Sequence, residues 1–501
     1  MKRNLAALTD GTFDLLILGG GITGAGVALD AATRGWRVAL IDKGDFASGT
    51  SSVSSKLIHG GLRYLEHGRF PLVYEALHER GWLVRAAPHL VRPLRFVLPF
   101  FAGARVRPWQ WRMGLTLYDL LAGRDNLRRS GPLTIQQVRR ELPNLRGAGM
   151  CGGAAYFDAQ MDDARLCLEV IQTAVAHGAV VANYAHAIAF EKIGGAIGGV
   201  VVKDQIAGNE FKIRARQVLN ATGPWVDAVC RLAGAETEPH LEPTKGVHII
   251  LPDRGLATAL LLLHPRDGRV FFVIPWLGKT LVGTTDTVTP EGPDALAVLP
   301  EDSAYLLEAW RHFFPRDADP PVLGSFAGLR PLIRAKPGEP SARSREFRHF
   351  TSPTGLVSVA GGKYTTFRSM AQQITDTLGK RLGKRRRCRT RRLLLHGTPE
   401  QPWPVFLAEA IGQLMRRFGL AEATARRLVE RYGTHVEHVA DYLATPAARE
   451  PLTPGEPELR GELTYQRDHE MALFPADHFL RRMRIGIFRP ALLQTAASTK
   501  P

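Results

Sequence analysis

Near the start of the chain, Gly19-Gly20-Gly21-Ile22-Thr23-Gly24 has the residue types and spacing to hold a pyrophosphate. Without Cβ atoms at Gly19, Gly21 and Gly24, backbone N–H groups at a helix N-terminus can approach the phosphates closely. Asp42, at the end of the next strand, supplies a carboxylate for a ribose hydroxyl. This pairing predicts a dinucleotide site and leaves FAD and NAD both open. A second chemical stretch runs from Ser51 to Tyr64, SSVSSKLIHGGLRY. Its hydroxyls and Lys56 could satisfy phosphate and ring oxygens, and Gly60-Gly61 would let backbone lie flat against a ring.

The elements that must position these groups follow from hydrophobic periodicity. Residues 13–42 read as strand, glycine turn, amphipathic helix to about Gly35, and a second strand Val38–Ile41, which opens a parallel βαβ unit. A helix Ala164–His177, a strand Val180–Tyr184 and a strand ending in Asn220-Ala221-Thr222-Gly223 resume that sheet after an insertion. Between about 240 and 350 the pattern changes to short β-rich runs, Val247–Leu251, Val270–Ile274 and Thr280–Val282, separated by Pro and Gly turns. This predicts a separate antiparallel layer. Leu356–Ala360 is a final strand, and Gly361-Gly362 leads into a helix from about Thr365 to Leu382. A basic run, Lys384 to Arg392, then precedes helical patterns at Val405–Phe418 and Ala421–Tyr432.

A chain of 501 residues, 45% hydrophobic, can bury more than one core. Its formal net charge of +17 predicts attraction to an anion, whether a phosphorylated substrate, acidic lipid or nucleic acid. Nucleic acid is disfavoured by the lack of interleaved aromatic residues. Cys151, Cys167, Cys230 and Cys388 lie far apart with no CxxC pair, so neither a disulfide framework nor a metal site is expected, and a reducing compartment fits. Leu15–Leu18 is too short for a signal-peptide core, and Leu256–Leu263 is too short to span a bilayer.

Several segments, in order, carry a closer likeness. The glycine loop, SSVSSKLIHGGLRYLE, Asn220–Trp225 (NATGPW), Gly283-Thr284-Thr285-Asp286, Gly328–Leu332 (GLRPL) and Gly361–Thr366 (GGKYTT) together resemble the FAD-dependent, respiratory-type glycerol-3-phosphate dehydrogenases. Tyr465–Arg484 resembles that family's C-terminal helical domain more loosely. The resemblance implies an α/β + α fold: a glutathione-reductase-like FAD Rossmann domain (13–75, 150–235, 355–383), interleaved with a D-amino-acid-oxidase-like antiparallel substrate domain (76–149, 236–354). A helical domain would follow at 393–490. It also implies oxidation of sn-glycerol 3-phosphate to dihydroxyacetone phosphate, with electrons passing to a membrane quinone. An oxidase that uses oxygen is the nearest alternative; a related flavoprotein oxidising another small substrate and a flavin-containing binding protein without turnover are the others. The implied location is the inner face of the cytoplasmic membrane, peripherally on anionic lipid, and homodimerisation is left open.

The resemblance further implies roles for single residues. FAD contacts would come from Gly19, Gly21, Ile22, Thr23, Gly24, Asp42, Lys43, Thr50, Ser51, Ser54, Lys56, Leu57, Ile58, Ala187, Thr222, Gly223, Gly361, Gly362, Lys363 and Thr365. Arg63, Tyr64, Arg330, Arg345 and Lys363 would bind the substrate, because planar guanidinium groups can grip two phosphate oxygens at once. His248 is the preferred base for the hydroxyl proton, with His59 the other titratable candidate, and Arg330 could polarise the C2 oxygen. The Lys384–Arg392 run would dock on anionic lipid or serve as a solvated hinge.

Overall fold

The computed structural model describes residues 1–104, 106–234, 241–289, 291–334 and 347–495, and among these the side chains of Arg63, His67 and Thr495 lie outside the description. The two N-terminal strands, Leu15–Leu18 and Val38–Ile41, are apolar at every position, as parallel strands covered on both faces must be. Their alternation splits them between two cores. Leu15, Ile17, Val38 and Leu40 pack under the helices, whereas Leu16, Leu18, Ala39 and Ile41 pack on a small second sheet. The central sheet has six strands, in the order Phe347–Thr351, Val357–Gly361, Val218–Asn220, Leu15–Leu18, Val38–Ile41, Val180–Ala182. All neighbours are parallel except the first pair. Helices Ile22–Thr33, Asp163–Ala176 and Phe367–Leu382 cover one face. Thr12–Phe13, Glu210–Ala215, Ala196–Asp204 and Ala185–Ile193 form the four-stranded sheet on the other.

The β-rich middle forms a ten-stranded sheet built around Thr244–Pro252, Lys279–Gly283, Val270–Trp276, Ala259–Leu263, Val91–Phe101 and Met150–Met161. Period-2 alternation again decides what each face does. Val247, Ile249 and Leu251 pack against Leu306, Ala309, Trp310 and Phe313 of helix Pro300–Phe313. Ile250 points the opposite way, and His248 shares its side. Strand Met150–Met161 runs antiparallel to Val91–Phe101 along most of its length, and Leu57–Ile58 pairs beside it. Strand Met150–Met161 is thus an element of this sheet.

Most elements differ from the periodicity reading by a few residues at their ends, and two of these shifts have a local cause. The strand expected to reach Tyr184 ends at Ala182, because Asn183 turns its amide to Asp45 and Met471 O and Tyr184 takes φ +54. The helix after Gly361-Gly362 begins at Phe367, since Tyr364–Thr366 forms a tighter turn first. Helices Trp403–Phe418, Glu422–Tyr432, Val436–Asp441 and Arg460–Glu470 supply a separate C-terminal core. No helix among the described residues is long and apolar enough to cross a membrane.

Candidate active site

The three sheets meet around a cavity of about 690 Å³, within the range of cofactor-sized pockets. At one end the N-terminus of helix Ile22–Thr33 opens into it through Gly21, Ile22 and Thr23. Gly19 has φ +107, and a Cβ there would lie 2.6 Å from Ala221 O, so only glycine lets this turn close on the neighbouring strand. Asp42 holds the turn from below, accepting from Gly20 N at 2.7 Å and Gly44 N at 2.9 Å. Burial pushes its carboxyl up to about 6, and the two backbone donors pull it back. Lys43 stacks over Trp225 at 4.3 Å where His186 and Ala187 also line the wall.

The hydroxyl-rich segment lines the middle. Ser51 Oγ accepts from Ile22 N at 2.9 Å, tying the glycine turn to this loop. Thr50 Oγ1 donates to Leu329 O at 2.7 Å, and Ser54 Oγ donates to Asp163 at 2.7 Å, so both are anchored while still facing the cavity. Leu57, Thr222, Gly223, Gly361, Gly362 and Thr365 complete this stretch. These residues fit FAD: an N–H-rich turn for a pyrophosphate, a carboxylate for a ribose, and a long apolar-walled slot beyond.

At the far end stand His248, Arg330, Lys363 and His59. His248 is 3% exposed, its Nε2 lies 2.9 Å from Ser55 Oγ, and its ring stacks on Phe326 at 4.9 Å. Burial, then the nearby cations Lys56 and Arg330, lower its pKa to about 3, so the imidazole is neutral. Two strand glycines make room. A Cβ at Gly283 would fall 2.1 Å from His248 Cδ2, and one at Gly246 would fall 2.4 Å from Arg330 Nη2. Arg330 bonds Asp286 at 3.0 Å, Thr284 Oγ1 at 2.9 Å and Thr285 O at 3.0 Å. Lys363 Nζ donates to His59 O and sits 5.6 Å from the Tyr64 ring centroid.

Some expected contacts lie elsewhere. Lys56 is fully buried and does not face the cavity, because its Nζ is taken by Ser52 O at 2.6 Å and Asp163 Oδ2 at 2.7 Å. Gly24 packs on Gly19 O, where a Cβ would come within 1.9 Å, and Ile58 is buried in the core with the nucleotide-side strands; neither lines the cavity. Tyr64 stands behind Lys363 and not on the wall. The Arg63 side chain and Arg345 lie outside the described residues. Ser55, Gly246 and Trp225 were missed as wall residues, although Trp225 falls inside the NATGPW motif and Gly246 two residues before His248.

A family model described as FAD dependent oxidoreductase matches residues 14–368, and one described as the C-terminal domain of alpha-glycerophosphate oxidase matches residues 388–499. The chain is 37% identical over 492 residues to the aerobic glycerol-3-phosphate dehydrogenase of Staphylococcus saprophyticus, covering 95% of this chain and 87% of that one. Against the Bacillus subtilis protein of the same name it is 37% identical over 496 residues, covering 96% and 88%. A solved glycerol-3-phosphate dehydrogenase from Bacillus halodurans complexed with FAD superposes with a TM-score of 0.79 at 33% identity, covering 98% of this chain and 89% of that one.

Proposed function

Because the chain belongs to the FAD-dependent oxidoreductases and, within them, to the aerobic glycerol-3-phosphate dehydrogenase family, we propose that it oxidises sn-glycerol 3-phosphate to dihydroxyacetone phosphate and passes the electrons to a membrane quinone. The observation that carries this reading is the convergence of a neutral, buried imidazole with two cations at the end of the flavin-sized cavity. FAD, when bound, supplies the two-electron acceptor for the hydride on C2. Arg330 and Lys363 hold the phosphate and exclude water from its oxygens, with Arg63, Arg345 and Tyr64 the further candidates. His248 accepts the C2 hydroxyl proton, for which Ser55 Oγ at 2.9 Å offers a hydrogen-bonded path to Nε2. Arg330 also stabilises negative charge on the C2 oxygen as the proton leaves.

The membrane part of the reading is supported by helix Pro108–Ala122. Trp109, Met113 and Leu120 lie on one stripe of it and are 55%, 63% and 72% exposed, with Phe70 and Tyr74 exposed on the adjoining helix Phe70–Ala86. Arg107, Arg112 and Arg124 flank the stripe, and Asp119, the only carboxylate from 101 to 124, is taken by Ser130. An apolar stripe bordered by cations suits an anionic lipid surface. Within the Lys384–Arg392 run, Lys384 pairs with Asp14 at 2.6 Å, whereas Arg385, Arg386, Arg387, Arg391 and Arg392 are exposed.

Anaerobic addition of glycerol 3-phosphate to the holoenzyme tests the reaction: the flavin absorbance bleaches, and added quinone restores it. Oxygen is the second reading, favoured by the oxidase name attached to the C-terminal family model. Stoichiometric peroxide with no quinone reduction would select it.

A further inference from the structure

The C-terminal helical region reaches back to the loop that lines the candidate flavin site. Arg484 is 1% exposed, and its Nη2 donates to Ser52 O at 2.6 Å and lies 3.1 Å from Asp163 Oδ1. Lys56 makes the same pair of contacts from the loop side, to Ser52 O and Asp163 Oδ2. Ser54 adds its backbone N–H and hydroxyl to the same Asp163 oxygen. Burial, then the neighbouring Arg484, lower the Lys56 amine to about 7, so below that pH two cations and one carboxylate share a buried site beneath the Ser52–Lys56 loop, and both cations use one carbonyl.

Both cationic residues also sit in left-handed backbone, at φ +59 for Lys56 and φ +73 for Arg484. That conformation is uncommon outside glycine and persists where surrounding contacts over-determine it. The other charged neighbours offset the site less than Asp163 does: Asp162, half-buried and capping its own helix through Arg165 N, acts on Lys56 more weakly than Asp163, and His248 is neutral. Lys56 Nζ lies 4.8 Å from the Phe326 ring on which His248 stacks, so the cluster abuts the proposed base through one aromatic ring.

We propose that Arg484 is a positioning residue of the flavin site: with Lys56 it anchors the Ser52–Lys56 loop on Asp163 and leaves an excess positive charge under the loop that favours the anionic, reduced flavin. This rests on the reading of the cavity as the FAD site of a dehydrogenase. An uncompensated charge in a low-dielectric interior acts over several ångströms, and its effect falls on whichever redox form carries the opposite charge.

The test is the flavin midpoint potential of the holoenzyme, titrated with a chemical reductant at pH 6, together with the FAD dissociation constant. Arg484→Met is expected to shift the two-electron equilibrium about tenfold toward oxidised flavin, about 30 mV, and Arg484→Lys to restore most of it. Asp163→Asn, which deletes the negative partner, is expected to move the potential the opposite way. A wild-type potential in FAD-loaded Arg484→Met, or equal potentials in the Met and Lys variants, overturns the proposal. If Arg484→Met holds no FAD, Lys56→Met deletes charge from the loop side, and an unchanged potential there overturns it equally. No substrate enters the titration, so its outcome is independent of whether glycerol 3-phosphate reduces the flavin.

Discussion

At the scale of single residues, His248 is the group on which the chemistry turns. His248→Ala is expected to retain FAD and to slow flavin reduction by glycerol 3-phosphate roughly 10²- to 10⁴-fold, read by single-turnover absorbance. Its pKa of about 3 means that the base stays neutral across the working pH range. The reductive half-reaction should therefore show no acid limb near 6.5, where a free imidazole titrates. The same shift has a stability consequence with a definite sign. An unfolded chain binds this proton near pH 6.5 and the folded chain only near 3, so stability falls as pH drops through that window, by up to about 1.4 kcal/mol per unit. Lys56 shows what single residues in sequence conceal. Its place in a run of hydroxyls suggests a ligand contact, but the partners that claim its amine, Asp163 and the Ser52 carbonyl, and the competing cation Arg484, come from distant sequence or from backbone.

At the scale of elements, strand register does the positioning. Gly283 pairs opposite His248 and Gly246 opposite Gly328, so the empty Cβ positions open space for His248 and Arg330. Gly283→Ala is expected to keep the fold and displace the imidazole, lowering flavin reduction at least tenfold while FAD content stays at the wild-type level. The βαβ opening and the apolar strands were legible because their periods are local. The partners of strand Met150–Met161 were not, since Val91–Phe101 lies some fifty residues away and nothing local specifies which edge it joins. The exposed stripe on helix Pro108–Ala122 escaped notice for the opposite reason: an amphipathic helix looks the same in sequence whichever side its apolar stripe faces. Changing Met113 and Leu120 to Gln is expected to weaken binding to phosphatidylglycerol vesicles about tenfold in a sedimentation assay, with dye-linked turnover unchanged. Equal binding by both proteins would remove the stripe from the docking surface.

At the scale of the whole molecule, buried ion pairs join the C-terminal region to the nucleotide site. Asp45, three residues past Asp42, accepts from Arg481 at 2.5 Å and from Arg482 at 2.8 Å and 2.9 Å. Arg165 bonds Glu470 at 2.7 Å. Breaking such a pair strands a charge in the interior, at a cost of about 3–5 kcal/mol. Asp45→Ala is thus expected to lower the melting temperature and FAD retention together, measured by calorimetry and by flavin released on gel filtration. The timing of synthesis follows from the same pairs. A ribosome adding roughly 5–20 residues per second delivers Arg481 about 20–90 s after Asp45. The glycine turn is made early, yet its supports follow 436 residues later, so stable capture of the flavin waits until Arg481 and Arg482 have been made.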